Sequence, residues 1–143
     1  MIITFCGHSS FCKTAELEER LLSILQGEVG DGYADFYLGG YGFFDSFAWE
    51  CCRRYQSEHP NVSLVFVTPY LNVDRSVKGL YDSSVYPPLE DKPRKFAISY
   101  RNKWMVENAD LVIAYVDHSY GGAYATLQHA KRKKKAIINL GNA

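Results

Sequence analysis

The stretch that most limits how this chain can fold runs from Asp110 to Thr126. Leu111-Val112-Ile113-Ala114-Tyr115-Val116 is an apolar, partly β-branched run, short enough for a strand buried on both faces. Asp117-His118-Ser119-Tyr120-Gly121-Gly122 follows as a turn of small and polar residues. Ala123, Leu127 and Ala130 then recur at helical spacing, and the segment ends in a basic run from Lys131 to Lys135. In a strand–glycine turn–helix unit the first backbone N–H groups of the helix have no partner inside it. They suit a phosphate or carboxylate, and glycine lets that anion approach closely. Gly121 and Gly122 are therefore read as ligand contacts, with Asp117 and Ser119 in the same turn.

The device recurs along the chain. Ile2 to Cys6 reads as a first strand, followed by the turn Gly7-His8-Ser9-Ser10. Thr14 can cap a helix whose Leu17, Leu21, Leu22 and Leu25 form one stripe, stopped by Gly27, Gly30 and Gly32. Asp35 to Leu38 is a short strand running into Gly39-Gly40-Tyr41-Gly42. Phe44, Phe47, Ala48, Cys51, Cys52 and Tyr55 then share one helical face, with Asp45 near the positive end of that helix. Val62 to Thr68 and Ala136 to Leu140 are further strands, and Ser99 to Asn108 is a further helix. Residues 71–95, with Pro87, Pro88 and Pro93, follow no regular pattern and read as an irregular insertion.

Alternating strands and helices predict a single α/β domain over 1–143: a Rossmann-like, doubly wound, mainly parallel sheet of about five strands with helices on both faces. In the order 3-2-1-4-5 the first and fourth strands are neighbours at the switch point, where ligands sit beyond the carboxyl ends. Gly7, His8, Ser9 and Ser10 then face the Asp117–Gly122 turn across one crevice, with Gly39, Gly40 and Gly42 beside them.

Composition narrows the function classes. Sixteen basic residues balance sixteen acidic ones, so no global field favours DNA or an anionic membrane, and nucleic acid is not an expected partner. No apolar run reaches the ~20 residues of a membrane helix. Met1 leads straight into a strand, with no basic-then-apolar leader. Cys6, Cys12, Cys51 and Cys52 show no CxxC spacing, so neither a disulfide framework nor a metal site is expected, and a reducing cytoplasm fits. Eleven tyrosines are many for this length, and Tyr41, Tyr70 and Tyr120 are candidates to stack on a base.

The motifs FCGHSS, GGYGFFD and RNKWM…AD…GGAYAT, in that order, resemble the SLOG superfamily, which includes the Lonely Guy phosphoribohydrolases and DprA-like domains. Lonely Guy enzymes carry FCGSS, then RKxxM, then PGGxGTxxE. Phe5-Cys6-Gly7 and Ser9 match the first motif, and Arg101 and Met105 the second; Gly121, Gly122 and Thr126 match the third with one inserted residue. The resemblance implies a nucleotide-type small-molecule ligand, phosphate near Arg101, Thr126 as a contact residue, and a homodimer or higher homo-oligomer.

One departure bears on chemistry. The glutamate that assists cleavage of the base–ribose bond is replaced by His129, preceded by Gln128. An oxocarbenium-like step needs a carboxylate, which neither residue supplies. The expectation is a binding module with no catalytic residues and no cofactor; Asp45 is offered to a ribose hydroxyl. The alternative is a hydrolase or transferase at the N-glycosidic bond, resembling phosphoribohydrolases or nucleoside deoxyribosyltransferases, with a carboxylate from Asp45, Glu50 or Asp117.

Overall fold

The computed structural model describes residues 1–72 and 74–141. Its strands are β1 (Ile2–Gly7), β2 (Ala34–Leu38), β3 (Val62–Val67), β4 (Ser83–Val85), β5 (Leu111–Tyr115) and β6 (Ala136–Asn139). Every pairing is parallel, in the order β4-β3-β2-β1-β5-β6. The helices are α1 (Ala15–Glu28), α2 (Phe43–Glu58), α3 (Arg75–Lys78), α4 (Ala97–Asn108) and α5 (Gly121–Arg132). Among the described residues the sheet therefore has six strands, against the expected about five. The added strand, β4, comes from the segment expected to be irregular and pairs with β3 from Val65↔Ser83 to Val67↔Val85. Three residues, two of them exposed serines, carry no apolar alternation to announce a strand.

Side chains alternate across the sheet and divide the core into two layers. Ile3 and Phe5 of β1 and Leu111 and Ile113 of β5 pack with α1 and α2. Cys6, Val112 and Ala114 face the other way, against Val106 of α4 and Leu127 and Ala130 of α5. Thr14 Oγ1 accepts the Leu17 N–H at 3.1 Å, a cap worth ~1 kcal/mol. α1 runs through Gly27 and ends at Gly30, whose φ of 57° supplies the left-handed turn. All six residues of the expected α2 face are buried. Phe44 of that face lies so close under β1 that a Cβ on Gly7 would come within 2.2 Å of its ring. Glycine at position 7 is thus required by helix–sheet packing. Among the described residues no helix is long and apolar enough to cross a membrane.

Candidate functional site

β1 and β5 lie side by side with Gly7 opposite Tyr115, so their trailing turns start together. The His8 N–H donates to Tyr115 O at 3.3 Å, and the Asp117 N–H donates to His8 Nε2 at 3.1 Å. From the next strand, Asn139 holds the start of the second turn by bonding the N–H and the carbonyl of Val116. Between the turns opens a cleft of about 360 Å³. Small-molecule sites begin at ~300 Å³, so the cleft is large enough for a small-molecule ligand.

Gly7, His8, Ser9, Ser10, Asp45, Arg101, Gly121, Gly122 and Thr126 all line this cleft. Gly39, Gly40, Gly42, Asp117 and Ser119 do not. A Cβ on Gly39 would press on the Arg101 guanidinium at 3.1 Å, and one on Gly40 on the Phe66 ring at 2.7 Å. Gly42, at φ 89°, packs on Ser9. These three glycines let the β2 turn close over its neighbours, a tertiary requirement that leaves them behind the wall. Asp117 and Ser119 open instead onto a shallower hollow beside Tyr124 and Lys131.

The wall formed by α5 is bare. Gly121 has φ 90°, and Tyr120 provides no side-chain cap. A Cβ on Gly121 or Gly122 would meet nothing within 4 Å. The unpaired N–H groups of this first turn and the positive end of the helix dipole therefore adjoin an open cleft wall. Thr126 is buried, and its hydroxyl donates to Gly122 O at 2.9 Å, so it braces this turn from inside the helix.

Arg101 is 1% exposed. Its Nη1 donates to Gly39 O and Val67 O, both at 2.8 Å, and its Nε donates to Asn102 Oδ1 at 2.9 Å. It ties α4 to the carboxyl ends of β2 and β3, and among the described residues its Nη2 has no protein acceptor. Burial pulls its pKa down, while Asp45 and three tyrosines oppose the shift; Tyr41 lies over the guanidinium at 5.3 Å. A guanidinium in these surroundings keeps its charge.

Asp45 is the one carboxylate on the cleft wall among the described residues. Its Oδ2 accepts the Tyr41 N–H at 2.9 Å. Burial pushes its pKa up to about 6, against the opposing effects of that hydrogen bond and of Arg101. An unfolded aspartate titrates near ~3.9, so between about pH 4 and about pH 6 the folded chain binds the extra proton. Stability is therefore expected to fall as pH rises through that window. Asp45→Asn should flatten the slope in urea midpoints measured across it; an unchanged slope would assign the effect elsewhere.

His8 is buried, and its ring stacks on His118 at 3.5 Å with 10° between planes, while Tyr120 continues the stack at 4.0 Å. Because Nε2 accepts the Asp117 N–H, the His8 proton resides on Nδ1. Burial, then His118, lower its pKa, with Asp117 opposing, so the ring is neutral at pH 7. His8, Asp117 and His118 bring ligand atoms within 4.8 Å of one another. Parallel rings hold their in-plane lone pairs in separate planes, however, and His8 Nε2 is already engaged; a metal ion would need His118 to leave the stack. Burial, then Asp45, push the Cys6 thiol up to about 12, which removes it as a nucleophile.

Ile98, Asn102 and Met105 of α4, Tyr41, His118 and Tyr120 of the turns, Phe5 and Cys6 of β1 and Ala123 of α5 complete the lining. Ile98, Arg101, Asn102 and Met105 stand at i, i+3, i+4 and i+7 counted from Ile98, one helical face and a signal present in the sequence. His129, at the position of the Lonely Guy motif's glutamate, is absent from the cleft wall: its Nε2 lies 3.4 Å from Glu107 on α4.

No family model matches the chain. The SPbeta prophage-derived protein YoqJ of Bacillus subtilis (strain 168), itself described as uncharacterized, is 22% identical over 139 residues, covering 82% of this chain and 81% of that protein. DNA processing protein A (DprA) of Streptococcus pneumoniae superposes with a TM-score of 0.68 at 14% identity, over 99% of this chain and 50% of that one. This chain thus spans half the length of that protein. DprA of Helicobacter pylori, solved for its single-stranded DNA binding mode, gives 0.69 at 16% identity, over 100% and 66%. TM1055, a structural-genomics target, gives 0.60 at 16% identity, over 96% and 72%. At such identities the likeness is one of fold: the chain has a Rossmann-like fold similar to that of the DprA structures.

Proposed function

We propose that this SLOG-type chain binds a nucleotide or nucleotide-derived small molecule, signalling nucleotides included, in the β1/β5 cleft and holds it without efficient catalysis. One observation carries the reading: the uncapped Gly121-Gly122 start of α5 opens into a hollow whose wall includes the buried Arg101. A phosphate fits the unpaired amides, and the guanidinium adds a second source of positive potential. Tyr120, tilted by 31° against His118, and Tyr41 offer aromatic faces for a base. His129 turns toward Glu107, so the family's carboxylate position contributes no charge to the cleft.

Nucleoside monophosphates should raise the melting temperature of the purified chain without being consumed. Ligand at 100 times its dissociation constant adds ~2.7 kcal/mol, a shift of several degrees. Short single-stranded DNA belongs in the same panel, against the expectation from balanced charge. The H. pylori protein of this fold binds it, and phosphate contact and base stacking serve both ligands. No shift with any member of the panel would contradict the reading.

Asp45 supports a second reading, cleavage or transfer at the N-glycosidic bond. A wall carboxyl with a pKa of about 6 is suited to proton transfer near neutral pH. Free base released over many turnovers, and abolished by Asp45→Asn, would establish that reading in place of the first.

A further inference from the structure

A second hollow, of about 420 Å³, lies on the same rim of the sheet, beyond the carboxyl ends of β3 and β4. Tyr70 and Leu71 wall it from the loop after β3, Tyr86 and Leu89 from the loop after β4, and Arg94 from the approach to α4. The wall mixes apolar and charged groups: the Arg94 guanidinium lies 4.8 Å from the Tyr70 ring centroid, Leu71 is 69% exposed, and Lys92 and Glu90 add a charge of each sign. Tyr86 is half-buried, yet among the described residues its ring has no stacking partner and its hydroxyl no hydrogen bond. Aromatic faces combined with a guanidinium are what a base with a neighbouring phosphate requires.

The two hollows share a partition. Ala97 lines the second and Ile98 lines the cleft, and consecutive Cα atoms stand ~3.8 Å apart. One helical turn on, Arg101 bonds the carbonyls behind β2 and β3, the strand ends between the hollows. A ligand that fills both must cross the first turn of α4.

We propose that the second hollow takes the second base of a dinucleotide, with the first unit in the β1/β5 cleft and the linking phosphate passing over the first turn of α4. This rests on the nucleotide reading of the cleft and specifies its ligand as a two-unit one. Base–aromatic stacking corresponds to roughly a fivefold to hundredfold gain in affinity per base.

The test titrates the full chain with the four ribonucleoside 5′-monophosphates, their 5′-phosphorylated homodinucleotides and the matching hexanucleotides, in wild type and Tyr86→Ala. The expected result is a dinucleotide bound roughly tenfold or more tighter than its monophosphate. Tyr86→Ala should erase that gain and leave monophosphate affinity unchanged, which also shows the variant folded. The hexanucleotide should bind no tighter than the dinucleotide. Equal affinity for one and two units, a gain that survives Tyr86→Ala, or affinity still rising beyond two units would overturn the proposal while leaving the cleft reading intact. Binding of none of these ligands would remove both.

Discussion

Gly122→Glu is expected to keep its fold and lose nucleotide affinity by about a hundredfold or more. A side chain at position 122 meets open space, and the backbone there needs no left-handed angle. Replacing glycine in a helix gains up to ~1 kcal/mol, and an acid in the first turn adds ~0.3–1 kcal/mol through the dipole. The melting temperature should therefore hold or rise. The carboxylate would occupy the proposed seat of the phosphate and repel it; a hundredfold loss needs only ~2.7 kcal/mol, less than like charges a few ångströms apart supply near a protein surface. Calorimetry on both proteins, with melting curves alongside, separates the effects. The other glycines do not allow that separation: Gly121 has φ 90°, and Gly7 is pressed on Phe44. Retained affinity in Gly122→Glu would place the ligand elsewhere.

Arg101→Ala is expected to fail in a different way, by destabilising the chain. Removing the guanidinium strips two carbonyls, Gly39 O and Val67 O, of a charged donor at 2.8 Å and leaves a cavity in their place. Hydrogen bonds to a charged group contribute roughly 1.5–3 kcal/mol each, so a loss of about 3 kcal/mol or more follows. For a chain of this size that is a fall of roughly 10 °C in melting temperature. Arg101→Lys keeps a charge but not the planar fork and should fall between the two. A melting temperature of Arg101→Ala within 2 °C or so of wild type would show that the carbonyl clamp is dispensable. Loss of activity in this variant cannot identify a catalytic group, because the cleft wall shifts with it.

Much of this architecture was legible along the chain. Phe44 to Tyr55 could be placed because burial on a helix repeats with the helix period, and every residue on that face is buried. The neighbouring of β1 and β5 followed once the order 3-2-1-4-5 was taken for a doubly wound sheet, and with it the meeting of residues 7–10 with residues 117–122. β4 was not legible, because two exposed serines and a valine carry no periodicity and their pairing depends on β3. Gly39, Gly40 and Gly42 announced a turn, but their neighbours Arg101, Phe66 and Ser9 come from other parts of the chain. The burial of Arg101 was hidden for the same reason: its carbonyl partners lie 34 and 62 positions away. The motif marked the residue without marking that its first duty is to join α4 to the sheet. The stack of His8 on His118 likewise joins two turns that only the fold brings together.

The most direct measurement is a titration of isotope-labelled protein with the tightest-binding nucleotide of the panel, following backbone amide resonances. The amides of Gly121, Gly122 and Ala123 are expected to shift saturably, with one dissociation constant, together with those of His8 and Ser9 across the cleft. Saturable shifts confined to other surfaces, with these five amides unmoved, would contradict the account.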